Sequence, residues 1–201
     1  GRGSGVIYTT NGYIITNYHV VGKNTEKITV TLYDGTKYEG AYICGDESAD
    51  VSVIKINKND CTAAKIGDSD ALKLGEQVLA IGNPLGYGIT LSDGIISALS
   101  RTVTVENTTM TLMQTTAAIN SGNSGGGLFN MKGELIGITN AKVGGTSVEA
   151  MGYAIPSEKV IKCVNDFSQY GYLTGVARLG VSIYNYIEIG RDTQPGYIRV
   201  A

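Results

Sequence analysis

Several features that mark common classes of protein are scarce in this sequence. The 201-residue chain has a formal net charge of -2, and its lysines and arginines form no cluster. Nucleic acids and anionic membrane surfaces are bound through clustered basic side chains. The charge pattern therefore excludes both as partners.

Ligands for a metal are scarce as well. The chain has one histidine, His19, and three cysteines at wide spacing, Cys44, Cys61 and Cys163. This set gives neither a disulfide framework nor a metal site, so no cofactor is expected. Buried free thiols are the simpler interpretation, and a bridge between Cys44 and Cys61 is the alternative.

Long apolar runs are missing. No segment approaches the roughly 18 consecutive apolar residues that span a bilayer, and the first residues, "GRGSGVIY", lack the pattern of a signal peptide. We expect a soluble piece of a longer protein, without stable membrane insertion in this segment.

Glycine, by contrast, is abundant, with 28 residues, while charged residues make up only 17%. This composition favours many short strands and tight turns. Alternating apolar runs around Asn11-Gly12 and Asp34-Gly35 predict two hairpins, and "DVSVIKI" predicts a further strand. Turn signals recur along the second half of the chain, where Asp93-Gly94 is interpreted as one of them.

These patterns predict an all-β fold of two six-stranded antiparallel β-barrels with a C-terminal helix. Residues 1–70 form the first barrel, and residues 71–175 form the second barrel and the helix. The helix begins at Pro156-Ser157 and ends at Gly171. Residues 176–201 are again strand-like and resemble the start of another domain.

The stretch "GNSGG", residues 122–126, has three interpretations: a turn, a phosphate-binding loop or a nucleophile surrounded by donor amides. A phosphate loop needs Lys and then Ser or Thr, which are missing here. A nucleophilic Ser124 needs an imidazole to accept its proton, and His19 is the single candidate.

Chain order then discriminates among the known serine hydrolases. The α/β-hydrolases need a histidine after the serine, and subtilisins need an aspartate before the histidine. Neither condition is met, so the order His, Asp, Ser of the chymotrypsin-like proteases remains.

Asp50 is the preferred third member, because it directly precedes the apolar strand "VSVIKI" and can be buried against the imidazole. A cap at the start of that strand is the alternative role. Asp46 and Asp60 are weaker candidates, and Asp34, Asp68, Asp70 and Asp93 are expected to be solvated in turns and loops. The glycines would leave Ser124 exposed and let backbone amides at Gly122 and Ser124 face an oxyanion.

Six motifs agree in order and spacing with one known family. "GSGVIYTTNGYIITNYHVV", "DVSVIKI", "AIGNPLG", "GIISALSR", "QTTAAINSGNSGG" and "GYAIP" resemble the protease domain of the HtrA (Do-like, DegP/DegS) serine proteases. The resemblance implies a serine endopeptidase with the triad His19, Asp50 and Ser124. It places the amides of Gly122, Asn123 and Ser124 around the oxyanion.

The resemblance also implies how substrate is bound. Ile119 lines the primary specificity pocket, which implies cleavage after small aliphatic residues. The segment Ile138, Thr139, Asn140 and Ala141 pairs with an extended substrate, so unfolded polypeptide is the expected partner. Loops near Pro84 to Ile89, at Ser121 and from Ala141 to Glu149 switch between competent and collapsed arrangements.

On the scale of the whole protein, the resemblance implies protein quality control and a stress response in an extracytoplasmic compartment. It implies a homotrimer, an N-terminal membrane anchor outside this segment, and a truncated PDZ domain in residues 176–201. The alternative function is a catalytically silent, chaperone-like module that binds misfolded polypeptide.

Overall fold

A computed structural model of the chain describes residues 2–83, 88–105, 108–120, 122–142 and 151–175. These residues form strands and a single helix, as the composition predicts. The elements are β1 (Val6–Ile7), β2 (Tyr13–Thr16), β3 (Ile28–Thr31), β4 (Lys37–Asp46), β5 (Val51–Ile56), β6 (Lys65–Ile66), β7 (Gln77–Gly82), β8 (Thr90–Val105), β9 (Thr108–Thr115), β10 (Gly127–Asn130), β11 (Glu134–Thr139), β12 (Gly152–Pro156) and α1 (Ser157–Tyr170).

The strands of the described residues form two sheets. The first has the order β1-β2-β5-β4-β3, and the second has the order β10-β7-β8-β9-β12-β11-β6, with β10 also paired to β11. The predicted all-β architecture with two sheets and a C-terminal helix is confirmed. The strands divide as five and seven, where six and six are predicted.

The uneven division comes from β6, which follows the last strand of the first sheet but joins the second. It pairs in parallel with β11, at Lys65 opposite Glu134 and Ile66 opposite Leu135. The Gly67 amide continues this ladder to the Leu135 carbonyl at 2.8 Å, and Lys65 forms an ion pair with Glu134 at 2.6 Å. The division of the chain into domains at residues 70 and 71 stays a prediction.

Both predicted hairpins are present. Gly12 and Gly35 have φ angles of 88° and 83°, a conformation that glycine adopts without steric cost. They connect β1 to β2 and β3 to β4, which pair antiparallel. The first of these hairpins ends at Thr16, three residues before His19.

The turn predicted at Asp93-Gly94 is wrong, because both residues lie inside β8 and pair with β7. Glycine is needed there for space. A Cβ at Gly94 would lie 2.2 Å from the backbone nitrogen of Ala117, so this strand passes close to the segment that leads to the nucleophile loop.

Helix α1 begins and ends where the sequence predicts. Gly171 adopts a left-handed conformation with φ of 78°, and its amide donates to the Phe167 carbonyl. Val160 and Cys163 face the interior, where they join the largest hydrophobic cluster.

That cluster joins the two sheets. It contains Val6, Ile15 and Val51 from the first sheet, and Leu135 and Ile138 from the second. A shared core of this kind resists relative motion of its elements, because buried side chains are close-packed. The ends of β2 and β5 are thereby held against the end of β11.

The three cysteines are free thiols, with Cys61 and Cys163 buried and Cys44 partly buried. The simpler interpretation is therefore confirmed, and the alternative bridge between Cys44 and Cys61 does not form.

Within the residues that the structure describes, no helix has both the length and the apolar character needed to cross a membrane.

Candidate active site

Asp50 occupies the turn that leads into β5, and its backbone is unusual. With φ of 52°, it is the one non-glycine residue at positive φ in the described part of the chain. Aspartate tolerates this region better than most residues, and the surrounding structure must hold it there. The side chain is directed inward, and the residue is only 4% exposed.

His19 lies between Asp50 and Ser124. Its Nδ1 is 2.8 Å from Asp50 Oδ2, and its Nε2 is 3.0 Å from Ser124 Oγ. With the proton on Nδ1 directed to the carboxylate, Nε2 presents its lone pair to the serine hydroxyl. The three residues chosen from the sequence thus form one connected hydrogen-bonded row, although 105 residues separate His19 from Ser124.

Further donors fix the carboxylate. Asp50 Oδ1 accepts the His19 amide at 2.9 Å, and Oδ2 accepts the Asn140 side-chain amide at 2.8 Å. The Asn17 side chain donates to the Asp50 carbonyl at 3.0 Å. Donors to the ionised form stabilise a buried carboxylate and fix its direction.

The competing aspartates have other roles. Asp46 is buried and accepts the amides of Ser48 and Ala49, so it closes the turn before Asp50. Asp60 forms an ion pair with Lys58 at the surface.

The nucleophile loop requires its glycines for space. A Cβ at Gly125, where φ is 82°, would lie 2.2 Å from the Ser4 carbonyl oxygen. A Cβ at Gly126 would lie 2.3 Å from the Ile81 carbonyl oxygen. The loop therefore lies between the N-terminal segment and the end of β7, with no room for side chains at these two positions.

Ser124 is buried, with 5% exposure, rather than exposed as the sequence predicts. Its Oγ accepts the Ala141 amide at 2.9 Å while it contacts His19. The segment after β11 therefore lies directly against the hydroxyl. Sequence reasoning could not find this contact, because it joins backbone to side chain across two loops.

Two of the three amides predicted to face an oxyanion have a partner within the loop. Gly122 and Asn123 both donate to the Asn120 carbonyl, at 2.9 and 3.0 Å. In this arrangement these amides can bind an oxyanion only after their hydrogen bonds to the Asn120 carbonyl break. Their role in the oxyanion hole stays a prediction.

Ile119 is partly buried and packs against the cluster that contains Ala154 and Met113. It faces Gly152, where a Cβ would lie 2.5 Å from Ile119 Cγ1. Ile119 and Gly152 therefore lie side by side, and a residue with a side chain at position 152 would collide with the isoleucine.

The predicted substrate-pairing segment divides in two. Ile138 and Thr139 lie in β11, where Ile138 is paired both to β10 and to β12 and Thr139 is paired to β12. The Thr139 carbonyl accepts the Gly125 amide, and the Thr139 amide donates to the Gly126 carbonyl. Only Asn140 and Ala141 lie beyond the strand, beside Ser124.

Comparison with known proteins agrees with this geometry. The trypsin-like peptidase domain family matches residues 3–138, which contain His19, Asp50 and Ser124. The chain belongs to this family. It is 39% identical over 207 residues to the serine protease Do-like HtrA of Lactococcus lactis subsp. cremoris (strain MG1363), covering 95% of this chain and 50% of the relative.

Two further relatives place it in the HtrA group of the trypsin-like peptidases. The periplasmic serine endoprotease DegP of Escherichia coli (strain K12) is 44% identical over 173 residues, which cover 84% of this chain and 36% of DegP. The solved structure of the HtrA-type protease AlgW with a decapeptide superposes with a TM-score of 0.75 at 39% identity, covering 84% of this chain and 52% of AlgW. This HtrA-type chain spans half or less of the length of the two curated relatives, HtrA and DegP.

Two residues make contacts in the site that the sequence does not predict. The side chain of Asn140, a residue of the predicted substrate segment, contacts Asp50. Ser4 was given no role, yet its amide donates to the Ser124 carbonyl at 2.8 Å. No spacing rule links either residue to the triad, since both contacts depend on how the two sheets meet.

The expected switching loops lie mostly outside the described residues, which omit 84–87, 121 and 143–150. The predicted truncated PDZ domain at 176–201 also lies outside them.

Proposed function

We propose that this HtrA-type chain is a serine endopeptidase that cleaves unfolded or misfolded polypeptide through an acyl-enzyme. The observation that carries the proposal is the position of the His19 imidazole, 2.8 Å from the Asp50 carboxylate and 3.0 Å from the Ser124 hydroxyl.

Each residue has a distinct task in the reaction. Ser124 Oγ attacks the scissile carbonyl while His19 Nε2 takes its proton. Asp50 holds the imidazole in one tautomer and stabilises the imidazolium that forms. His19 then donates the proton to the leaving amine, and a water molecule activated by His19 hydrolyses the acyl-enzyme.

The negative charge that develops on the carbonyl oxygen is stabilised by the amides of Gly122, Asn123 and Ser124. Donors of this kind each contribute about 10² to 10³ in rate. Since Gly122 and Asn123 bond to Asn120 here, substrate binding is coupled to a rearrangement of the loop. The same binding must displace the Ala141 amide from Ser124 Oγ.

Substrate is bound as an extended strand beside Asn140 and Ala141, the two residues of the predicted segment that lie beyond β11. Ile119 and Gly152 form the pocket for the residue before the scissile bond, and their apolar surface favours small aliphatic side chains. A cavity of about 140 Å³ next to His19, bordered by Tyr18, Met110 and Lys142, offers space for a neighbouring substrate residue.

The relatives support the wider role. DegP is named as a periplasmic endoprotease, and AlgW has been solved with bound peptides. For the longer protein we accordingly propose an extracytoplasmic location and polypeptide substrates. A part in protein quality control, a homotrimer and an N-terminal membrane anchor are proposed from the sequence resemblance alone.

Incubation with casein tests the proposal. We expect new fragments from the wild-type chain and none from Ser124→Ala. A serine-directed fluorophosphonate should label Ser124 in the wild type alone. Absence of both cleavage and labelling in the wild type would contradict the proposal.

The hydrogen bonds that the Asn120 carbonyl accepts and that the Ala141 amide donates favour a second candidate, a silent module that holds misfolded polypeptide without cleaving it. This function predicts that the wild type and Ser124→Ala bind reduced casein equally and that neither cleaves it.

A further inference from the structure

Ser4 contacts the nucleophile loop although it lies 120 residues before Ser124. Its amide donates to the Ser124 carbonyl at 2.8 Å, and its hydroxyl donates to the Gly122 carbonyl at 2.7 Å. One residue thus binds the carbonyl of the nucleophile and the carbonyl two residues before it.

These two bonds fix the peptide planes around Ser124. In a trans peptide the C=O and the following N–H are directed oppositely. Because Ser4 holds the Gly122 carbonyl on one side of the peptide, the Asn123 amide is directed to the opposite side, toward the Asn120 carbonyl. In the same way, the Ser124 carbonyl held by Ser4 directs the Gly125 amide to the Thr139 carbonyl at 3.0 Å.

Ser4 is itself held from both sheets. Its hydroxyl accepts the Asn83 amide, just after β7, at 2.8 Å, and its carbonyl accepts the Thr16 hydroxyl, at the end of β2, at 2.7 Å. The hydroxyl therefore both accepts and donates, which fixes its rotamer.

Neighbouring glycines leave room for this residue. A Cβ at Gly82 would lie 3.0 Å from Ser4 Oγ, and a Cβ at Gly125 would lie 2.2 Å from the Ser4 carbonyl oxygen. The segment around Ser4 is thus closely enclosed between the end of β7 and the nucleophile loop.

We propose that Ser4 is a positioning residue for the nucleophile loop: its hydroxyl fixes the Gly122–Asn123 peptide and thereby the placement of the Ser124 hydroxyl beside His19. The inference rests on the proposed serine-protease function and adds a residue to it. Ser4 touches neither substrate nor the reacting atoms, so it acts through the loop.

Three variants test the proposal. Ser4→Ala removes the hydroxyl, and Ser4→Thr keeps it. Ser157→Ala is the matched control, because Ser157 Oγ also donates to a backbone carbonyl, that of Gly67 at 2.8 Å, at the start of helix α1. Ser157→Ala loses this bond, whereas Ser4→Ala loses both the bond donated to Gly122 and the bond accepted from Asn83, so the unfolding midpoint should fall more in Ser4→Ala.

Kinetics with a peptide that carries valine before the scissile bond separate positioning from stability. We expect Ser4→Ala to lower kcat about tenfold at unchanged KM, the size of effect that one hydrogen bond supports. Ser4→Thr should recover most of kcat, and Ser157→Ala should keep it. An unchanged or higher kcat in Ser4→Ala would overturn the proposal, as would an equal loss in Ser157→Ala.

Hydrogen exchange decides the proposal even if no substrate is cleaved. The Asn123 amide, which follows the carbonyl that the Ser4 hydroxyl holds, should exchange faster in Ser4→Ala than in the wild type, and at the wild-type rate in Ser157→Ala. Failure of casein cleavage by the wild type would overturn the protease function alone, whereas equal exchange in Ser4→Ala and wild type would overturn the role of Ser4 alone.

Discussion

The Asn140 side chain binds the same Asp50 oxygen that faces the His19 ring: its Nδ2 lies 2.8 Å from Oδ2, at the distance of His19 Nδ1. Asn140 follows β11 of the second sheet, whereas Asp50 leads into β5 of the first. The carboxylate of the triad is therefore held jointly by both sheets, and its geometry depends on their packing.

Removal of this contact should weaken catalysis without removing any triad member. We expect Asn140→Ala to lower kcat about 10- to 100-fold, because a hydrogen bond to a buried charge is lost. Steady-state kinetics measure the effect. An unchanged kcat in Asn140→Ala would contradict this explanation.

Asp50→Asn should impair the reaction more strongly. The amide can donate to Nδ1 and favour the wrong tautomer, which in a triad of this type lowers kcat by about 10⁴. Asp60→Asn is the matched control, because it neutralises a surface aspartate that pairs with Lys58. Equal activities of the two variants would remove Asp50 from the triad.

Ile119 should determine the size of the residue accepted before the scissile bond. Ile119→Ala enlarges the space beside Gly152, so the ratio of kcat/KM for leucine over valine substrates should rise about 10- to 100-fold. Ile119→Val is the graded control, with a smaller shift in the same direction. An unchanged ratio in the alanine variant would place the pocket elsewhere.

Cys163 should be inert in the folded protein. Burial, aided by the nearby charge of Asp46, raises the pKa of its thiol to about 12, and burial also raises the pKa of Cys44. The reactive thiolate is therefore almost absent at pH 8. Mass spectrometry after iodoacetamide treatment should show no modification of Cys163 in buffer and complete modification in urea. Rapid native labelling would contradict its burial.

Much of the fold follows from local rules. The hairpins at Asn11-Gly12 and Asp34-Gly35 could be predicted because the glycines take up positive φ between alternating runs. The helix could be predicted because its apolar residues recur at helical spacing up to Gly171. The triad followed from a single histidine and from the order of the three residues in the chain.

Other features depend on contacts between segments that lie far apart in the sequence. Asp93-Gly94 carries the sequence of a turn, but here the glycine leaves space for the backbone of Ala117. The parallel pairing of β6 with β11 joins residues almost 70 positions apart and has no local signal. The burial of Ser124 by Ala141 is of the same kind.

The left-handed backbone at Asp50 also bears on which acid this position can use. Glutamate carries the same charge and could accept the same donors, but among charged residues aspartate is the one enriched at positive φ. Glutamate at this position would be longer than the same donors require, and it would also adopt positive φ at a greater energetic cost than aspartate. The main-chain conformation thus selects aspartate over glutamate at this position, although both side chains carry the same carboxylate.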